Sequence, residues 1–82
     1  MISSAERRRH PRQDVRIAAT LVAAEGLLRQ EGMILNVSES GAAIALSDAD
    51  DVPDEFYMLM PQHLLQPCHV VWRADQLLGV AF

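Results

Sequence analysis

An all-β fold, a six-stranded antiparallel barrel, is the architecture predicted for this 82-residue chain, and three features point to it. Apolar residues fall at every second position in four separate stretches, the period of a strand with one buried face. The stretches are short and are separated by turn-forming residues at regular intervals, as in small barrels and sandwiches. At 9.1 kDa, with half its residues apolar and 22% charged, the chain has the composition of a globular domain with room for one core.

Residues 1–12, MISSAERRRHPR, carry no apolar periodicity, and the His10-Pro11 step biases the backbone to an extended form. They read as a flexible arm ahead of a barrel domain spanning 13–82. Val15, Ile17, Ala19, Leu21 and Ala23 then occupy alternate positions as a first strand. The stretch Ile17–Gln30 is also rich in Ala and Leu, so intrinsic propensity alone favours a helix, interrupted at Gly26 at a cost of ~1 kcal/mol. Met33, Leu35 and Val37 alternate with Ile34, Asn36 and Ser38, and Ser40-Gly41 supplies a turn into the short strand Ala42–Leu46. Ser47–Asp54 is an acidic loop. Phe56, Met58 and Met60 form the fourth strand until Pro61 ends it, and PQHLLQP reads as a connection. Cys68, Val70 and Trp72 share one face of the fifth strand, which places all three in the core, and Leu77–Phe82 is the sixth.

Several function classes are disfavoured by the residues present. No apolar run approaches the ~20 residues of a membrane-spanning helix, and the Arg-rich N-terminus is unlike a signal peptide, so the expected location is the cytoplasm, with no membrane contact. Cys68 is the only cysteine and can form neither an internal disulfide nor a thiolate cage. His10, His63 and His69 are scattered, without a carboxylate or thiol at catalytic spacing, so no enzyme, metal site or cofactor is expected. Asp48, Asp50, Asp51, Asp54 and Glu55 lack the ligand spacing of a calcium loop and read as a solvated face.

Charge is divided unevenly along the chain. Residues 1–16 carry +3, with Arg7, Arg8, Arg9, Arg12 and Arg16, whereas residues 17–82 carry −7. The positive end suits a small anion, while the acidic remainder repels a long polyanion, so a nucleic-acid polymer is not the expected partner. The cations are all arginines, whose planar five-donor fork pairs bidentately with phosphate or with a guanine edge and stacks on flat rings.

Two short motifs concentrate this chemistry. Arg8-Arg9-His10-Pro11-Arg12 is an R-x-x-x-R, and Asn36-Val37-Ser38-Glu39-Ser40-Gly41 is an N-x-S-x-x-G. Asn36 and Ser38 are two apart on a strand, so they project together from one face while Val37 turns inward. Gly41 fits either a positive-φ turn or a close backbone approach to a ligand. With the closing V-V-W-R and G-V-A-F segments, the stretch from Glu6 to Phe82 resembles a PilZ domain, the bacterial receptor module for cyclic di-GMP.

The resemblance implies a PilZ-like barrel of the split-barrel type and a non-enzymatic receptor. Its ligand would be held by Arg7, Arg8, Arg9, Arg12, Asn36, Ser38 and Gly41, with the arm ordering over the barrel to change a partner-facing surface. Arg7, directly ahead of the R-x-x-x-R, implies an intercalated ligand dimer. Domains of this kind commonly continue into a C-terminal helix, and the sequence stops at Phe82, so that helix is expected to be absent or truncated. Leu77, Leu78, Val80 and Phe82 would then form an apolar rim for self-association, a protein partner or a fused effector domain. A nucleotide-independent adaptor with the same fold, related to pilus or motility function, is the competing reading.

Overall fold

The computed structural model describes residues 12–23, 28–61 and 64–82. Six antiparallel strands run in chain order: β1 (Gln13–Ala23), β2 (Leu28–Val37), β3 (Gly41–Leu46), β4 (Glu55–Met60), β5 (Leu64–Ala74) and β6 (Leu77–Ala81). They close into a barrel in the order β1-β2-β3-β6-β5-β4. The ring is therefore two three-stranded meanders, β1–β3 and β4–β6, joined along two seams. One seam pairs Gly41–Ala45 of β3 with Leu77–Ala81 of β6, and the other pairs only Thr20–Val22 of β1 with Tyr57–Leu59 of β4. Among the described residues there is no α-helix, and so none long and apolar enough to cross a membrane.

Alternation decides the first hairpin against helix propensity, because burying Ala19, Leu21 and Ala23 on one face of β1 is worth more than the propensity of the same residues in isolation. β2 begins at Leu28, five residues ahead of the Met33 start that the pattern indicates, since Gly32 and Glu31 hide the alternation there. Gly32 is required by packing: a Cβ on it would lie 2.9 Å from Ile44 Cγ2 and 3.0 Å from the Ala45 carbonyl oxygen. β5 likewise begins earlier than expected. Leu64–Pro67 pair with Tyr57–Met60, so the expected PQHLLQP connection is a tighter hairpin. Pro67 is tolerated in the strand because β6 joins β5 only from His69 onward, leaving one side of its backbone without a neighbour to bond.

Leu21, Ile34, Ile44, Met58, Leu78 and Val52 fill the interior and are essentially inaccessible. Cys68 belongs to this core as the alternation indicates, 5% exposed, and burial pushes its thiol up to about 11, so it is protonated and inert near neutrality. The loop between β3 and β4 closes one end of the barrel. Its acidic side chains are exposed as expected, but a 3₁₀ turn at Ala49–Asp51 buries Ala49, and Val52 follows it inward. Two polar clamps hold this loop. Arg73 donates to the Ala49 carbonyl at 2.6 Å and pairs with Asp54 at 3.0 Å, and the Gln30 amide oxygen accepts from the Asp48 N–H at 2.9 Å. Of the four residues expected to form an apolar rim, Leu78 and Val80 are buried by the barrel itself, which leaves Leu77 and Phe82 exposed.

Trp72 departs from its expected place. The ladder between β5 and β6 slips between Val70 and Trp72, a bulge that adds one residue and reverses the alternation beyond it. Val71 and Trp72 therefore both face outward, 64% and 43% exposed, and the indole lies over Gly79, where a Cβ would collide with Trp72 Nε1. Trp72 is an outer-wall residue, not a core anchor.

Candidate functional site

The second arginine of the R-x-x-x-R and the asparagine of the N-x-S-x-x-G are in direct contact. Arg12, immediately ahead of β1, donates from Nη1 to Asn36 Oδ1 at 2.6 Å, across 24 residues of sequence. The contact follows from the hairpin, because register pairs Gln13 with Val37 and Asp14 with Asn36, which brings Arg12 to the end of β2. Two irregularities shape this corner. The β1–β2 register slips between Asp14 and Ile17, and the β2–β3 register slips between Ile34 and Asn36. The second slip lets Ile34 and Val37 both face the core, so Asn36 stands on the outer wall as expected, although Ile34 rather than its neighbours points inward.

Ser38 holds the turn that follows. The Ser40 N–H donates to Ser38 Oγ at 3.2 Å, the two hydroxyls lie 3.2 Å apart, and the Ser38 N–H donates to the Gly41 carbonyl at 2.8 Å. A serine hydroxyl bonding the N–H two residues on is a local turn lock. Replacing Ser38 by alanine is expected to lower stability by about 1 kcal/mol, read from a urea titration, and to weaken any ligand contact of that hydroxyl by a similar amount.

Gly41 has a role in the strand pairing. Its φ lies outside the left-handed region, so the positive-φ alternative does not hold; a Cβ there would lie 2.2 Å from the Val80 carbonyl oxygen. The close approach is to β6.

One row of the outer wall continues across the sheet from Asn36 to Ala43, Gly79 and Trp72. At about 4.8 Å per strand the row is about 14 Å long, with two small residues between the amide and the indole. Ala43 and Gly79 are both buried, Gly79 beneath the Trp72 indole, so the row ends in an aromatic side chain laid along the outer wall. The bulge that turns Trp72 outward leaves no trace in the residue pattern.

Arg7, Arg8 and Arg9 lie outside the described residues, as do His10 and His63. Of the residues expected to hold a ligand, the described ones are Arg12, Asn36, Ser38 and Gly41, and the fold brings them to one corner. His69 is exposed between Glu55 and Ala81 on the register, two strands from Gly41, and among the described residues no group of histidine, cysteine and carboxylate side chains is placed to hold a metal.

The architecture is thus a small closed barrel with an arginine fork bonded to the asparagine near the end of its second strand. The model of the PilZ domain family matches residues 6–82. The chain belongs to the PilZ family, whose known role is binding cyclic di-GMP and whose members are generally receptors rather than enzymes. Comparison with curated proteins yields no match.

Proposed function

We propose that this chain is a cytoplasmic, non-enzymatic receptor for cyclic di-GMP, which binds through the arm arginines Arg7, Arg8, Arg9 and Arg12 together with Asn36, Ser38 and Gly41. The observation that carries the reading is the 2.6 Å bond between Arg12 and Asn36, which joins the two motifs. Arginine forks meet the two phosphates and the O6/N7 edge of guanine, and ordering of the arm changes the surface offered to a partner. The adaptor reading draws on a different observation, the exposed Tyr57 and Leu65 on β4 and β5, a surface for a protein.

Calorimetric titration of the full chain with cyclic di-GMP, with GTP and single-stranded DNA as controls, separates the two. Saturable heat with cyclic di-GMP alone supports the receptor; no heat with it favours the adaptor. The endpoint carries a second expectation. Arg7 adds a fork beside the R-x-x-x-R, so two ligand molecules per chain are expected, and an endpoint of one removes the intercalated dimer.

A further inference from the structure

The described site is rich in donors and short of acceptors. Arginine forks only donate. The Ser38 hydroxyl is engaged in its turn, and Asn36 Oδ1 already accepts from Arg12. Guanine presents acceptors at O6 and N7, which the forks satisfy, but also donors at N1–H and the exocyclic N2 amino group, which these residues leave unmet.

One carboxylate answers that need. Asp14 is the register partner of Asn36, so the two side chains leave the same outer face of adjacent strands, with Cβ atoms ~5 Å apart. It is exposed, and among the described residues its side chain makes no hydrogen bond or ion pair. An ionised carboxylate accepts two parallel N–H groups in bidentate fashion, the pattern that the N1–H and N2 amino pair offers and that adenine does not.

We infer that Asp14 is a specificity-determining residue that reads the N1–H and N2 amino edge of a guanine held beside Asn36. The inference rests on the receptor reading above and adds the base discrimination that reading lacks. It also makes a prediction of opposite sign to bulk electrostatics. Removing a carboxylate from an acidic barrel should by itself tighten binding of an anionic ligand; loss of the guanine contact weakens it.

The test is calorimetry on the full chain with cyclic di-GMP and with its inosine counterpart, which lacks the N2 amino group. The unsubstituted chain is expected to prefer the guanine ligand by about tenfold. Asp14→Ala should weaken cyclic di-GMP binding about tenfold or more and reduce that preference to less than about threefold. Asp14→Glu, which keeps the carboxylate, should retain the preference. Glu31→Ala, which removes an exposed carboxylate from the middle of β2, should leave both affinities within about twofold. Asp14 is exposed, and unchanged melting of each variant confirms the fold. Equal or tighter binding by Asp14→Ala, or an undiminished guanine preference, overturns the inference while the receptor reading stands. Failure of the unsubstituted chain to bind cyclic di-GMP overturns both.

Discussion

Gly41→Val is expected to cost more than about 3 kcal/mol, a large share of the stability of a domain this small. The cause is steric and lies in the pairing of β3 with β6. A Cβ on Gly41 meets the Val80 carbonyl oxygen at 2.2 Å, with the Val80 carbonyl carbon and Ala81 Cα at 3.3 and 3.4 Å. These are backbone atoms of a strand held between β3 and β5, so no rotamer change can clear the space. Gly79 is the informative contrast. There the obstructing atoms belong to the half-exposed Trp72 indole, which can swing into solvent, so alanine at 79 moves a side chain where alanine at 41 would move a strand. Urea denaturation of Gly41→Ala and Gly41→Val checks the expectation; a loss below 1 kcal/mol for valine would show that β6 yields.

Arg12→Ala is expected to weaken cyclic di-GMP binding by about 1.5–3 kcal/mol, roughly ten- to 150-fold, with little change in melting temperature. The guanidinium is exposed and its bond to Asn36 lies at the surface, so its loss returns both partners to water at small cost to the fold. Arg8→Ala should give a loss of similar size. The measurement that gives these numbers meaning is Arg29→Ala, which removes the same charge from the exposed face of β2 and should change affinity by less than about 0.5 kcal/mol. Equal losses at 12 and 29 would mean that positive charge in general, and not the motif, attracts the ligand.

How far the sequence reveals this molecule varies with the physics of each element. The barrel was legible because burial with a period of two leaves a direct mark, clearest in Ala19, Leu21 and Ala23 of β1 and in Phe56 and Met58 of β4. The R-x-x-x-R and N-x-S-x-x-G were legible because few residue types supply forks and turn locks. What stayed hidden depends on slips in register, since a bulge is a relation between two strands and neither sequence alone encodes it. The alternation alone places Trp72 in the core for this reason, and the inward turn of Ile34 together with Val37 has the same origin. The motif marks Gly41, but its pattern suggests a turn or a ligand as the reason, whereas the neighbour that demands glycine, Val80, lies 39 residues away in sequence. Asp14 gave no sign at all, since its significance arises only from standing opposite an amide whose oxygen is already taken.

The two seams that join the meanders are unequal, three register pairs between β1 and β4 against five between β3 and β6. Thermal breathing should therefore begin at the shorter one. Amides of Thr20–Val22 and Tyr57–Leu59 are expected to exchange with solvent deuterium sooner than those of Gly41–Ala45, although Leu21 and Met58 at the same place are among the least accessible side chains. The corner built from Arg12, Asp14, Asn36 and Ser38 belongs entirely to the first meander and borders the longer seam. If ligand seats there as proposed, the exchange of Thr20–Val22 and Tyr57–Leu59 is expected to change less on binding than that of Gly41–Ala45, so the shorter seam is where the occupied ring is expected to keep breathing.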